Sequence, residues 1–97
     1  TVLENRAGID ITGGDNVTIR ENKVRDNLYG SISLSRVKKG AVADNQVISN
    51  NRSGISLSMG CTDIEVSKNM VAENAGNGIS VSGGSDITLS ENTVDGN

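Results

Sequence analysis

Asn22-Lys23-Val24-Arg25-Asp26-Asn27 returns as Asn45-Gln46-Val47-Ile48-Ser49-Asn50, as Asn69-Met70-Val71-Ala72-Glu73-Asn74 and as Asn92-Thr93-Val94-Asp95-Gly96-Asn97. A truncated copy, Val2-Leu3-Glu4-Asn5, opens the chain. The second asparagine recurs at spacings of 22, 23, 24 and 23 residues, and nine of the 12 asparagines occupy these two positions. A fixed period of this length marks a stack of repeats, in which each unit buries its apolar face only against its neighbours.

The residues between the asparagines keep the same register. An alternating segment follows each motif: Ile9-Asp10-Ile11, Ile32-Ser33-Leu34, Ile55-Ser56-Leu57 and Ile79-Ser80-Val81. A second follows after a turn: Val17-Thr18-Ile19, Gly40-Ala41-Val42, Ile64-Glu65-Val66 and Ile87-Thr88-Leu89. Apolar residues at every second position predict short, half-buried strands. Three such strands per repeat solve their pairing problem together if the chain coils and each strand lies parallel to its counterpart one repeat later. Inward columns then form, all valine through Val24, all isoleucine through Ile32, and mixed aliphatic through Ile11, Ile19 and Val17, the last interrupted only by Gly40. Stacked asparagine amides, which both donate and accept, are expected to ladder along the axis through Asn5, Asn22, Asn27, Asn45, Asn50, Asn69, Asn74, Asn92 and Asn97. Asparagine is also expected to supply the left-handed backbone of the tight corners. The expectation is an all-β, right-handed parallel β-helix of about four coils, its hand taken from the general crossover rule.

The composition excludes several kinds of chemistry. The 97 residues contain no His, Phe, Trp or Pro, one Tyr and one Cys. Histidine acid–base catalysis, a His-based triad and an intrachain disulfide are therefore absent. Aromatic platforms for bases or sugars are limited to Tyr29. A net charge of −3 argues against a nucleic-acid partner. No apolar run has the length of a membrane-spanning helix.

The string Gly-Ile-x-Ile-x-Gly-x-x-x-Val-x-Ile-x-x-Asn-x-Val-x-x-Asn, as in residues 8–27 and, with aliphatic exchanges, 78–97, resembles the right-handed β-helix repeat of the pectin-lyase-like superfamily. That group includes pectate lyases, mannuronan C5-epimerase catalytic modules, periplasmic carbohydrate-binding and sugar-hydrolase proteins, and phage tailspikes. The resemblance covers nearly the whole chain and rests on structural positions, so it implies the fold more than any activity. The epimerase-type Asp-x-His-Glu segment is missing. The lyase-type calcium site would need clustered Asp on the first sheet. The outward rows of that sheet read Asp10, Ser33, Ser56, Ser80 and Thr12, Ser35, Ser58, Ser82, with a single carboxylate.

A few residues remain as candidates for chemistry. Asp10, Tyr29 and Arg52 lie on, or lead into, the first sheet and form the candidate carbohydrate contact. Glu4 and Asp26 stack in adjacent coils, with Glu73 two coils further on, but nothing in the pattern builds a cleft for paired-carboxylate hydrolysis. Asp63 and Asp86 occupy equivalent corners, a weak calcium candidate, and Lys39 one coil earlier is expected to pair with Asp63. Cys61 falls in the longest turn and is expected to be an unpaired thiol. Ice binding by a flat threonine face is disfavoured, because Ser dominates and Asp10 interrupts the row.

The chain is thus expected to form a single β-helix domain over residues 1–97, with repeats at about 1–22, 23–45, 46–69 and 70–92 and a partial unit at 93–97. Its ends are expected to be uncapped, as in a segment of a longer solenoid. The expected role is a non-catalytic scaffold of an extracellular, periplasmic or surface protein that acts on or binds polysaccharide, with no cofactor. Two alternatives are carried beside it. One is part of a polysaccharide lyase or epimerase whose catalytic coils lie elsewhere; the other is a self-associating fibre or tailspike module. Expected partners are polysaccharide, flanking coils or a capping domain, or further copies of the chain.

Overall fold

The computed structural model describes residues 2–3, 8–28 and 32–96. Asn5, Asn97, Glu4 and Tyr29, all singled out above, lie outside the described residues. Thirteen strands follow one another, and the described residues contain no helix. The first coil holds β2 (Ile9–Gly14), β3 (Val17–Arg20) and β4 (Lys23–Arg25). The second holds β5 (Ile32–Val37), β6 (Gly40–Ala43) and β7 (Gln46–Ile48). The third holds β8 (Ile55–Ser58), β9 (Thr62–Ser67) and β10 (Met70–Ala72). The fourth holds β11 (Ile79–Val81), β12 (Ser85–Ser90) and β13 (Thr93–Asp95), and β1 (Val2–Leu3) precedes them all.

Each strand pairs in parallel with its counterpart one coil away, which gives three sheets around one core. The first sheet runs β2-β5-β8-β11, the second β3-β6-β9-β12 and the third β1-β4-β7-β10-β13. Register follows the sequence columns: Ile9, Ile32, Ile55 and Ile79 align in the first sheet, and Ile19, Val42, Val66 and Leu89 in the second. Alternation along each strand therefore sends one set of side chains inward, and Ile32, Leu34, Val42, Val47 and Val71 are completely buried. In the last coil the same columns stand half-exposed at Val81, Leu89 and Val94.

Two asparagine ladders close the corners on either side of the third sheet. In the first, Asn45 donates from its backbone N–H and from Nδ2 to Asn69 Oδ1, at 3.0 and 2.9 Å, while Nδ2 also donates to Ile19 O at 3.0 Å. Asn69 repeats the pattern onto Asn92 and Val42 O, and Asn22 donates in turn to Asn45 Oδ1. The second ladder runs Asn27, Asn50, Asn74 with the same geometry. The inner amides of Asn45, Asn50 and Asn69 thus each satisfy a backbone carbonyl of the coil before and tie to the coil after.

The corners correct one expectation. No described ladder asparagine has a positive φ. The left-handed residue is the one before it: Glu21, Asp44, Lys68 and Glu91 in one row, Asp26, Ser49, Glu73 and Gly96 in the other. The physical reason is direction: the reversal is made by a residue whose side chain leaves toward solvent, so the following asparagine can aim its amide at the axis.

Cys61 is unpaired as expected and lies in the turn between β8 and β9, where it is buried. The extra residue of the third coil is absorbed by successive left-handed residues, Met59 and Gly60, which turn Cys61 inward. There its Sγ donates weakly to Ser58 O and Leu34 O, at 3.4 and 3.5 Å. Cys61 continues a corner column with Gly14, Val37 and Gly84. Val37, fully buried, also packs where Gly40 interrupts the neighbouring column: a Cβ on Gly40 would lie 3.6 Å from Val37 Cγ1 and only 2.8 Å from Val17 O.

Candidate functional site

With the described inward positions apolar or in a ladder, a site among the described residues is built from outward side chains on the three faces. On the first sheet, Asp10, Ser33, Ser56 and Ser80 stand in register, as do Thr12, Ser35 and Ser58. The result is a flat, hydroxyl-rich surface with one exposed carboxylate at the first coil. Arg52 is exposed in the turn leading into β8, two coils beyond Asp10, so about 10 Å separates them along the axis. The fold puts both beside the same sheet without joining them in an ion pair.

The second sheet is not flat. Its outward rows read Thr18, Ala41, Glu65, Thr88 and Arg20, Ala43, Ser67, Ser90, and both small residues belong to β6. A trench therefore runs along β6, with Thr18 and Arg20 as one wall and Glu65 on the other side, and past the buried Ser67 it opens toward Ser90 and Glu91. It is an open hollow of ≈ 570 Å³ over Ala41 and Ala43, and a second open hollow of ≈ 330 Å³ continues it past Gly40 toward Lys39 and Asp63. One end is framed by Asp44 and Lys68, which project outward because their backbones are left-handed. Arg20 Nη2 reaches across to Asp44 Oδ2 at 3.3 Å.

Arg20–Asp44 and Arg25–Asp26 are the ion pairs among the described residues. The expected Lys39–Asp63 pair does not form. Both side chains are exposed, and in water the attraction does not repay the cost of ordering a lysine. Asp63 and Asp86 do line a common hollow with Lys39, Glu65 and Thr88, but no three metal-ligating side chains converge among the described residues. Asp26 is engaged by Arg25 at 3.1 Å, and Glu73 lies two coils away, accepting weakly from Ser49 Oγ at 3.5 Å.

Sequence reasoning passed over the trench, although its signal was present. Ala41 and Ala43 break rows that elsewhere carry Thr, Glu, Arg or Ser.

The stacked parallel coils, the columns and the ladders agree with a comparison against known families. A family model described as a right-handed beta helix region matches residues 1–97. The chain belongs to this right-handed β-helix family. No curated protein and no solved structure matches it. Among the described residues, no helix of this β-helix is long and apolar enough to cross a membrane.

Proposed function

We propose that this β-helix is a scaffold that presents polar faces to a polysaccharide, as a structural part of an extracellular, periplasmic or surface protein of pectin-lyase-like kind, and performs no turnover itself. The observation that carries the reading is the in-register hydroxyl face of the first sheet, from Asp10 and Thr12 to Ser56 and Ser58. Hydroxyls spaced one strand apart offer a donor and an acceptor at each step, which suits the repeated hydroxyls of a sugar chain. Rigid strands hold that spacing without an ordering cost at the moment of binding.

The test is incubation of the 97-residue chain with neutral and acidic polysaccharides. Retention is read by affinity electrophoresis, turnover by ultraviolet absorbance and reducing ends. Retention without product is expected; product formation, or no retention on any polysaccharide, overturns the reading. The scaffold calls on no cofactor. A calcium titration should leave the melting temperature unchanged, and a rise abolished by Asp63→Asn with Asp86→Asn would instead place a cation at those corners.

A further inference from the structure

The trench along β6 has the dimensions and chemistry of a subsite for an extended, hydrophilic ligand. Its floor is the length of a four-residue strand, about 13 Å, and β3 and β9 flank it two strand spacings apart, about 10 Å. The lining alternates donors and acceptors. Thr18 and Ser67 bring hydroxyls, Glu65 brings a carboxylate to the middle of one wall, and Lys39 and Lys68 bring ammonium groups to opposite ends.

The same lining narrows the ligand class. A peptide strand adds to free sheet edges, and the backbone beneath this trench is consumed by the ladder to β3 and β9. Apolar ligands would find only two alanine methyls and, at one end, the edge of Val17. A dense polyanion would meet Asp44, Asp63, Glu65 and Glu91, which outnumber Arg20, Lys39 and Lys68, and the guanidinium of Arg20 is already engaged by Asp44. What remains is a ligand that is uncharged, extended and rich in groups that both donate and accept. We propose that the trench floored by Ala41 and Ala43 is a binding subsite for a neutral saccharide chain lying along β6. This rests on the polysaccharide reading above, adds to the first-sheet face a second contact on the second sheet, and selects neutral over acidic glycans there.

The experiment is an amide chemical-shift titration of the full chain with neutral oligosaccharides (gluco-, manno- and xylo-) and, separately, with oligogalacturonate. A neutral oligosaccharide should shift residues of β3, β6 and β9. Filling the floor with Ala41→Ile and Ala43→Ile should weaken that binding at least tenfold while the circular dichroism spectrum stays native. Glu65→Ala, at an exposed position whose loss leaves the core intact, should weaken it severalfold and serves if the double variant fails to fold. Shifts confined to β2, β5 and β8 and untouched by these changes overturn the subsite and leave the polysaccharide reading standing. Tighter binding of oligogalacturonate in the trench overturns the neutral assignment. No response to any saccharide removes both.

Discussion

Asn45 is tied to three coils at once: its Nδ2 donates to Ile19 O and to Asn69 Oδ1, and its Oδ1 accepts from Asn22. Truncating it strands buried partners on both sides, and each unsatisfied group costs about 1–3 kcal/mol. Asn45→Ala should therefore lower unfolding stability by about 3 kcal/mol in urea titrations. Asn22→Ala, at the half-buried start of the described ladder, should cost about 1 kcal/mol. Gly54 is the most crowded of the glycines. A Cβ there would fall on Val71 Cγ1 in β10 and 2.7 Å from Gly78 O of the next coil. Gly54→Ala should prevent native folding, whereas Gly13→Ala, with open space around it, should cost only the left-handed strain of about 1 kcal/mol. Circular dichroism melts of the two variants check this contrast. The importance of both asparagine positions was legible from their recurrence. Which backbone partners they serve was not, because those partners lie a full coil away in sequence.

Corners and columns set the behaviour of the elements. Glu21 bears a left-handed backbone with φ 55°, a cost of about 1–2 kcal/mol for an L-residue, and Gly96 fills the corresponding place in the other row. Glu21→Gly should raise stability by about 0.5 kcal/mol, after allowance for the added freedom of the unfolded chain. Glu21→Val should lower it by about 1 kcal/mol. Denaturant midpoints separate the two outcomes. Cys61 shares its column with Val37, so Cys61→Val should be accepted within about 1 kcal/mol. Its thiol should stay silent toward a disulfide reagent until urea unfolds the chain; rapid reaction in buffer would show that the corner is open. Strand existence and register were readable from alternation, since a one-residue slip would turn every aliphatic column outward. The inward turn of Cys61 was not readable, because it depends on how Met59 and Gly60 share one surplus residue.

At the scale of the whole molecule, every described strand waits for a partner one repeat distant, and among the described residues no helix lends local stability. Closing loops of this length before any pair forms makes folding slow, in the millisecond-to-second range typical of non-local β topologies. Stopped-flow refolding should show that range, and microsecond folding would contradict the picture. Amides of β5 to β10, with neighbours on both sides, should exchange with solvent more slowly than those of β12 and β13, where Leu89 and Val94 are half-exposed. The sequence by itself determined the coil, its period, its register and its ladder positions. These follow from side chains that must face the same way in every repeat, and that requirement is written as simple recurrence. Only the tertiary structure decided which corner residue turns left-handed, that Cys61 is core, that Lys39 and Asp63 stay apart, and that two alanines open a trench. Each of those depends on the outward or upward neighbour in the next coil, and no periodicity along one chain records what two adjacent coils leave unfilled between them.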